Sequence, residues 1–549
     1  MTKLKTFFID QHGCAKNQVD GELIVSRLLE MGLKFVVEPE RADLIIINTC
    51  GFIESAKKES FDALFAARKS YPHAKIALCG CLAERYANEL KDALPEADAI
   101  FGNGDISRIG DIVSALEKDE RPVNVYEQIG VCSGVRKILL GYKGSAFVKV
   151  TEGCSNHCSF CAIPLIRGEL RSRHASEIVH EVKQLVGSGI VEINLIGQDL
   201  ASYGRGKNDD VFGERDGDDR LATRNKDASN GKNSVGDGNA GDGETANDRK
   251  FAVDENDGEK STGDEKSALL RLLELLCEIE GSFFIRLLYI HPDNFPRDIL
   301  PLIQREQKIL PYFDIPFQSG DDAVIRAMNR RGTAKVYQSL VSDIRSALPN
   351  AVLRTTFLTG FPGEGEGAFN NTELFLKNIK SDWSGCFAFS REEGTSAYSM
   401  KKRVPAKTAK ARAMRLSEIQ QEITRSSLKK WIGTSLDVLI EEVIDGGEGL
   451  AIGRAWFQAP DVDGNVVVRY EKDNEAEDAA VRVGRFVRVK ITASSDVDVD
   501  SIFESDSEKN PDSTHFTHAA GDCTCRSARS TLSDRFASDS DFSLHFATE

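Results

Sequence analysis

Three cysteines fall within nine residues, Gly153-Cys154-Ser155-Asn156-His157-Cys158-Ser159-Phe160-Cys161, with the spacing C-x3-C-x2-C. An odd set this close cannot close on itself as disulfides. A structural zinc site asks for four protein ligands, more than the stretch offers. Iron–sulfur clusters are held by cysteine thiolates, and three thiolates on a four-iron cube leave one iron without a protein ligand. A small molecule can coordinate that open position, which points to chemistry rather than to electron storage alone. Three core or zinc-binding cysteines are the bland alternative.

A chain of 549 residues is too long for one domain. Its start, Met1-Thr2-Lys3-Leu4-Lys5-Thr6, turns polar too soon for a secretory leader, and no apolar run approaches membrane-spanning length. The 12 cysteines are therefore expected to work in a reducing cytoplasm, where clusters and catalysis prevail over disulfides. The net charge of −16 is local: residues 204–268 contribute −6 (17 acidic, 11 basic) and residues 496–549 contribute −8 (12 acidic, 4 basic). Both stretches are rich in Gly, Asp, Asn or Ser and lack periodic apolar residues, the composition of disorder. The acidity therefore says little about the partner.

Residues 1–135 alternate apolar strands with helices. Lys5-Thr6-Phe7-Phe8-Ile9, Asp43-Leu44-Ile45-Ile46-Ile47 and Lys75-Ile76-Ala77-Leu78 read as strands buried on both faces, so a parallel α/β sheet is expected. Ligands gather beyond the carboxyl ends of such strands. Cys14, Cys50 and Cys81 each lie just past one, so three loops could bring them together. Cys79 competes with Cys81 but belongs to the strand, and Cys132 reads as structural.

Cys154, Cys158 and Cys161, with Phe160 before the last, resemble the motif of the radical S-adenosylmethionine family. Gly13-Cys14-Ala15-Lys16-Asn17, Asn48-Thr49-Cys50-Gly51-Phe52-Ile53 and Gly80-Cys81-Leu82-Ala83-Glu84-Arg85-Tyr86 are similar to the amino-terminal domain of methylthiotransferases, which join such a domain to a radical S-adenosylmethionine domain. The resemblance implies S-adenosylmethionine on the open iron of the Cys154/Cys158/Cys161 cluster, near Phe160. It also implies a second four-iron cluster on Cys14, Cys50 and Cys81. Asp20-Gly21-Glu22 departs from the family pattern, which has serine in the middle, and is expected to touch no ligand.

The central region, 140–400, is expected to be an open six-fold β/α barrel. Its strands fall near Ser145–Val150, Val191–Ile196, Phe283–Leu288, Tyr312–Ile315, Leu353–Leu358 and Gly385–Phe389. Gln198, Asp199, Arg354 and Thr355, with the turn Thr359-Gly360-Phe361-Pro362-Gly363-Glu364, are its pocket candidates. A disordered insertion is expected over 206–266. Residues 401–430 read as a basic linker helix with ten basic residues against Glu418 and Glu422, either an RNA contact or a solvated connector. Short strands and glycine turns over 431–494 predict a small β-barrel resembling the TRAM domain, though its net charge is −5 (12 acidic, 7 basic). Residues 495–549 are expected to be a disordered tail, with Cys523 and Cys525 adventitious.

The resemblance implies replacement of an unactivated C–H bond by C–SCH3: one S-adenosylmethionine supplies a 5′-deoxyadenosyl radical and another the methyl group. No acid–base residue is assigned. Ala459-Pro460-Asp461-Val462-Asp463-Gly464 and Leu287-Leu288-Tyr289-Ile290-His291-Pro292 look like the branch that modifies an aspartate of ribosomal protein uS12, free or in the small subunit. Gln318-Ser319-Gly320-Asp321 resembles the tRNA adenosine branch instead. The acidic barrel, with Asp461 and Asp463 on one loop, favours the ribosomal protein, with ribosomal RNA beside the basic helix. A flavodoxin- or ferredoxin-type reductant is implied, and no membrane. A non-catalytic iron–sulfur carrier or scaffold is the rival of another class.

Overall fold

The computed structural model describes residues 3–128, 130–207, 209–213, 266–446 and 448–507, and the backbone at 545–546. It opens with a parallel sheet of β1 (Thr6–Gln11), β2 (Lys34–Phe35), β3 (Leu44–Thr49), β4 (Lys75–Gly80), β5 (Ala99–Phe101) and β6 (Val123–Asn124), ordered β2-β1-β3-β4-β5-β6. Helices α1 (Ala15–Glu30), α2 (Glu54–Ser70), α3 (Cys81–Ala93) and α4 (Ile109–Leu116) cover both faces. The period of two in β3 explains why both are needed. Leu44 and Ile46 meet α1 and α4, while Ile45 and Ile47 meet α2 and α3.

After β7 (Ile138–Leu139) comes the central unit. Its strands are β8 (Ser145–Lys149), β9 (Thr151–Glu152), β10 (Arg171–Ser172), β11 (Glu192–Ile196), β12 (Phe284–Leu287), β13 (Ile309–Asp314), β14 (Val352–Thr359) and β15 (Trp383–Ala388). Six of them form one parallel sheet, β15-β14-β13-β12-β11-β8, which is not closed; β9 and β10 pair antiparallel. Helices α5 (Ile163–Arg167), α6 (Ala175–Gly187), α7 (Ala268–Cys277), α8 (Leu300–Arg305), α9 (Asp322–Ala327), α10 (Ala334–Ala347) and α11 (Glu366–Ile379) supply the crossovers. Val148, Ile193, Leu195 and Leu287 face the outer helices. Phe147, Ile196, Phe284 and Tyr312 face inward and share one apolar cluster with α1 and with the small carboxyl-terminal barrel.

That barrel is closed, β16-β17-β18-β20-β19, from β16 (Ser435–Ile444), β17 (Leu450–Ala455), β18 (Val466–Arg469), β19 (Phe486–Ser494) and β20 (Val499–Asp506). The last strand corrects the expected tail boundary at 495. Asp500 lies between buried Val499 and Ser501, and β18 and β19 both pair with the strand. The insertion also starts later than 206. Val211 is buried and accepts the Ala175 N–H at 2.9 Å, while Phe212 meets Tyr203 edge-on and lies under Arg271. Residues 214–265, 508–544 and 547–549, with Cys523 and Cys525, lie outside the described residues. Among those described, no helix is long and apolar enough to cross a membrane.

The basic linker is helix α12 (Ala406–Leu428), whose Ala409, Ala413, Leu416 and Ile419 are buried. Several of its cations are spent internally: Arg412 on Glu364, Arg425 on Asp496 and, just beyond, Lys430 on Asp382. One acid of the small barrel is likewise committed. The Asp463 side chain is fully buried, takes the Arg354 guanidinium at 2.5 Å and accepts the Tyr312 hydroxyl at 2.6 Å. Asp463 therefore docks the barrel onto the central sheet and does not face a partner. Arg354 accordingly docks the barrel, and it lines the cavity beside that contact.

Candidate active site

Register brings the first three cysteines together. Gln11 lies beside Asn48, and Thr49 beside Gly80, so the turns after β1, β3 and β4 leave the sheet side by side. Cys14 is the N-cap of α1 and Cys81 the first residue of α3, positions where the helix dipole favours a thiolate. The turns are tightly apposed: a Cβ on Gly13 (φ +90°) would stand 3.1 Å from Cys50 Cβ, and one on Gly51 2.8 Å from the Cys81 carbonyl oxygen. Asn17 Nδ2 donates to the carbonyls of His12, Asn48 and Thr49 and ties them together. Cys81 Sγ receives Arg167 Nη2 at 3.2 Å and Asn103 Nδ2 at 3.4 Å. Burial pushes the Cys50 thiol up to about 12 and raises that of Cys81; a metal acts the opposite way, because it binds the thiolate. Cys79 lies inside β4, in the apolar cluster under α1 and α4.

The second set sits on the loop between β9 and β10, whose pairing of Glu152 with Arg171 and Thr151 with Ser172 pins the loop at its base. The Cys154 N–H donates to the Gly168 carbonyl at 3.1 Å. Gly153 (φ +72°) is required there, since a Cβ would come 2.1 Å from the Glu169 carbonyl oxygen. Asn156 Nδ2 stands 3.4 Å from Cys154 Sγ, and His291 Nε2 is 3.6 Å from Cys158 Sγ. Burial and the nearby Arg330 charge push His291 down to about 4, so its ring is neutral at pH 7. Burial also raises the Cys154 thiol to about 11 and that of Cys161 to about 12. Phe160 packs with Val324, Met328 and Phe361.

Two family models match the chain: Uncharacterized protein family UPF0004 over residues 6–102 and the TRAM domain over residues 432–501. A protein of Treponema denticola described as ribosomal protein uS12 methylthiotransferase RimO is 43% identical over 511 residues, covering 90% of this chain and 100% of that protein. The chain belongs to the ribosomal protein uS12 methylthiotransferase family. Relatives with the same description in Thermoanaerobacter sp. and Aquifex aeolicus are 35% and 34% identical, covering 87% and 89% of this chain and 97% and 94% of their own. A solved radical S-adenosylmethionine methyltransferase, TsrM from Kitasatospora setae, is 10% identical and aligns over 72% of this chain and 77% of its own with a TM-score of 0.46.

The donor sets fit the clusters that this family implies. Each offers three thiols, with amide or guanidinium N–H groups at the sulfurs of Cys81 and Cys154, as outer partners of a cluster should be. Among the described residues no three His, Cys, Asp or Glu side chains converge as around a single ion; the corners of a cube stand further apart. Among the described residues Thr151 Oγ1 and Gln198 Oε1 are enclosed and without hydrogen-bond partners.

The remaining pocket candidates divide differently from the sequence reading. Gln198 Nε2 holds Glu152 at 3.0 Å. Asp199 is saturated: it accepts from Asn156, Asn294 and Ser202 and from the N–H groups of Ala201 and His291, so it positions the cysteine loop and has no capacity left for a ligand. Thr355 Oγ1 accepts the Phe317 N–H. Within the glycine-proline turn, Glu364 accepts the Gly360 N–H and pairs with Arg412.

Sequence reasoning missed the bridge between the two loops. Lys149 Nζ lies 2.6 Å from Asp20 and 2.5 Å from Glu152; Arg167 lies 2.9 Å from Asp20 and 2.8 Å from Glu152, and also reaches Cys81. Asp20 is thus one residue removed from a cysteine sulfur. A Cβ on Gly21 would meet Gln11 Oε1 at 2.4 Å, so a serine there asks that amide to turn. A cavity of about 750 Å3 lined by Trp383, Gln420 and Val497 touches none of these cysteines.

Proposed function

We propose that this chain adds a methylthio group to the β-carbon of an aspartate of ribosomal protein uS12, with S-adenosylmethionine and two four-iron clusters as cofactors. The observation that carries the reading is 43% identity to the Treponema denticola relative across 90% of this chain and the whole of that protein. Cys154, Cys158 and Cys161 would hold one cluster, and Cys14, Cys50 and Cys81 the other. Bound there, the clusters and S-adenosylmethionine supply hydrogen-atom abstraction from an unactivated carbon and the methylthio group that replaces the hydrogen.

The chain's own residues orient and shield. Asp199 and Asn156 hold the Cys154 loop, and Phe160 keeps water from its far side. Lys149, Glu152, Arg167 and Asp20 fix the separation between the two loops through enclosed ion pairs. A flavodoxin- or ferredoxin-type protein delivers electrons in the cytoplasm. Lys401, Lys402, Arg403, Lys407 and Lys410 are exposed and suit ribosomal RNA beside the substrate. Mass spectrometry of ribosomal proteins and tRNA nucleosides from a deletion strain tests the reading. Loss of a methylthio group from uS12 is expected; loss from tRNA alone would overturn it.

A further inference from the structure

Among the described residues most buried cations have a carboxylate partner, and Arg330, which has none, donates to the Pro316 and Phe317 carbonyls. Lys149 and Arg167 share Asp20 and Glu152, Arg136 holds Glu22 and Glu181, Arg286 and Arg454 share Glu192, and Arg354 takes Asp463. Lys16, in the first turn of α1, is 6% exposed, and its one contact of this kind is with the face of Tyr289, 3.8 Å from Nζ to the ring centroid. It makes no hydrogen bond or ion pair among the described residues. A desolvated ammonium without an anion is costly. The groups that face it are the Cys14 thiol, Arg167, and the acids Glu152 and Asp314, which are matched by Arg167 and, at 4.0 Å, by Arg354.

Lys16 is two residues from Cys14. Tyr289 follows β12 and stands two residues before His291, which touches Cys158. The ammonium therefore lies on the seam between the two cysteine sets, where a substrate carbon has to face both. Tyr289 is held there at φ +63°, a conformation that a bulky side chain adopts only under constraint. In an aspartate the carboxylate is one bond from the β-carbon, so anchoring it on this seam positions the reacting carbon. Resting on the functional reading above, we propose that Lys16 binds the side-chain carboxylate of the substrate aspartate.

The test is equilibrium binding of the cluster-loaded chain to uS12 and to uS12 with its target aspartate changed to asparagine, for the wild type, Lys16→Met and Lys16→Arg. A charge-assisted hydrogen bond predicts a wild-type preference for aspartate of about ten- to hundredfold. Lys16→Met should erase the preference, and Lys16→Arg should keep part of it. Thermal unfolding separates this from a structural role: removing an unpaired buried cation leaves the melting temperature unchanged or raised, whereas losing a structural cation lowers it. Undiminished discrimination in Lys16→Met, or a lowered melting temperature with discrimination retained, overturns the assignment. A wild type that neither binds nor modifies uS12 removes the functional reading itself, and this inference with it.

Discussion

Glu192 offers a direct measure of what holds the small barrel under the central sheet. It lies at the start of β11, 4% exposed, and takes Arg286 from β12 at 2.8 Å, Arg454 from β17 at 2.7 Å and the Ser145 hydroxyl at 2.7 Å. Both arginines are at most 3% exposed at the side chain. Glu192→Gln keeps the shape and removes the charge, leaving two guanidiniums on Glu441 and the carbonyls of Trp456 and Gln458. Breaking a buried pair from one side costs about 3–5 kcal/mol, and the surviving acceptors argue for the lower end. At about 2 °C per kcal/mol in a large cooperative unit, the melting temperature should fall by about 6 °C. Burial alone would raise the Glu192 carboxyl, but Arg454 and Arg286 outweigh it and hold it well below its ordinary value. A depressed carboxyl contributes stability above its unfolded pKa, near 4.3, and loses it as pH falls through the folded one. The gap between wild type and variant should therefore be flat from about pH 5.5 to 8 and shrink only in acid. Scanning fluorimetry at a fixed heating rate reads both. A drop below about 2 °C, or a gap that varies with pH near neutrality, would refute the account of this network.

Cys81→Ala should lower the iron content to about half, while Cys79→Ala, set in the strand, should retain it; iron assay of the reconstituted chains decides. Replacing residues 214–265 with a short Gly/Ser linker should leave the melting temperature unchanged, whereas replacing 206–266 strips Val211 and Phe212 from the core edge and should cost about 2 kcal/mol in denaturant unfolding. Asp463→Lys sets a second cation against Arg354 in a fully buried site and should destabilise by more than about 3 kcal/mol, while Asp461→Lys, on an exposed residue, should cost about 0.5 kcal/mol.

What was legible in the sequence followed from short-range pattern. The all-apolar run at Leu44–Ile47 could only be a strand covered twice, and strand ends placed Cys14, Cys50 and Cys81 on one edge. What was illegible depended on which side chains meet across the chain. Asp463 reads as an exposed loop acid until Arg354, 109 residues earlier, closes on it. Asp199 beside Gln198 reads as a ligand-facing pair, yet five donors fill one and leave an acceptor free on the other. Strand β20 was hidden by segment averaging: Val-Asp-Ser-Ile-Phe-Glu-Ser-Asp looks like tail when its acids are counted, and like a barrel strand once buried Val499 and Ser501 are seen. Lys16 carries no signal beyond Cys14 two residues before it, because what distinguishes it is its burial against the face of Tyr289.

The unclosed central sheet has a consequence for the kind of protein surface that this chain can modify. From below, its concave face is filled by the small barrel through Arg454, Trp456 and Asp463, and along the free β8 edge it is covered by α1 through Lys149 and Asp20. On the β15 side α12 lies against it through Gln420 and Thr424. The approach to the Cys158–His291 contact is thus from the carboxyl mouth, with the other sides covered. A target residue has to project on a narrow loop whose own backbone can follow it inward. An aspartate of identical sequence context set in a helix or a flat sheet would be shielded from modification by its own neighbours.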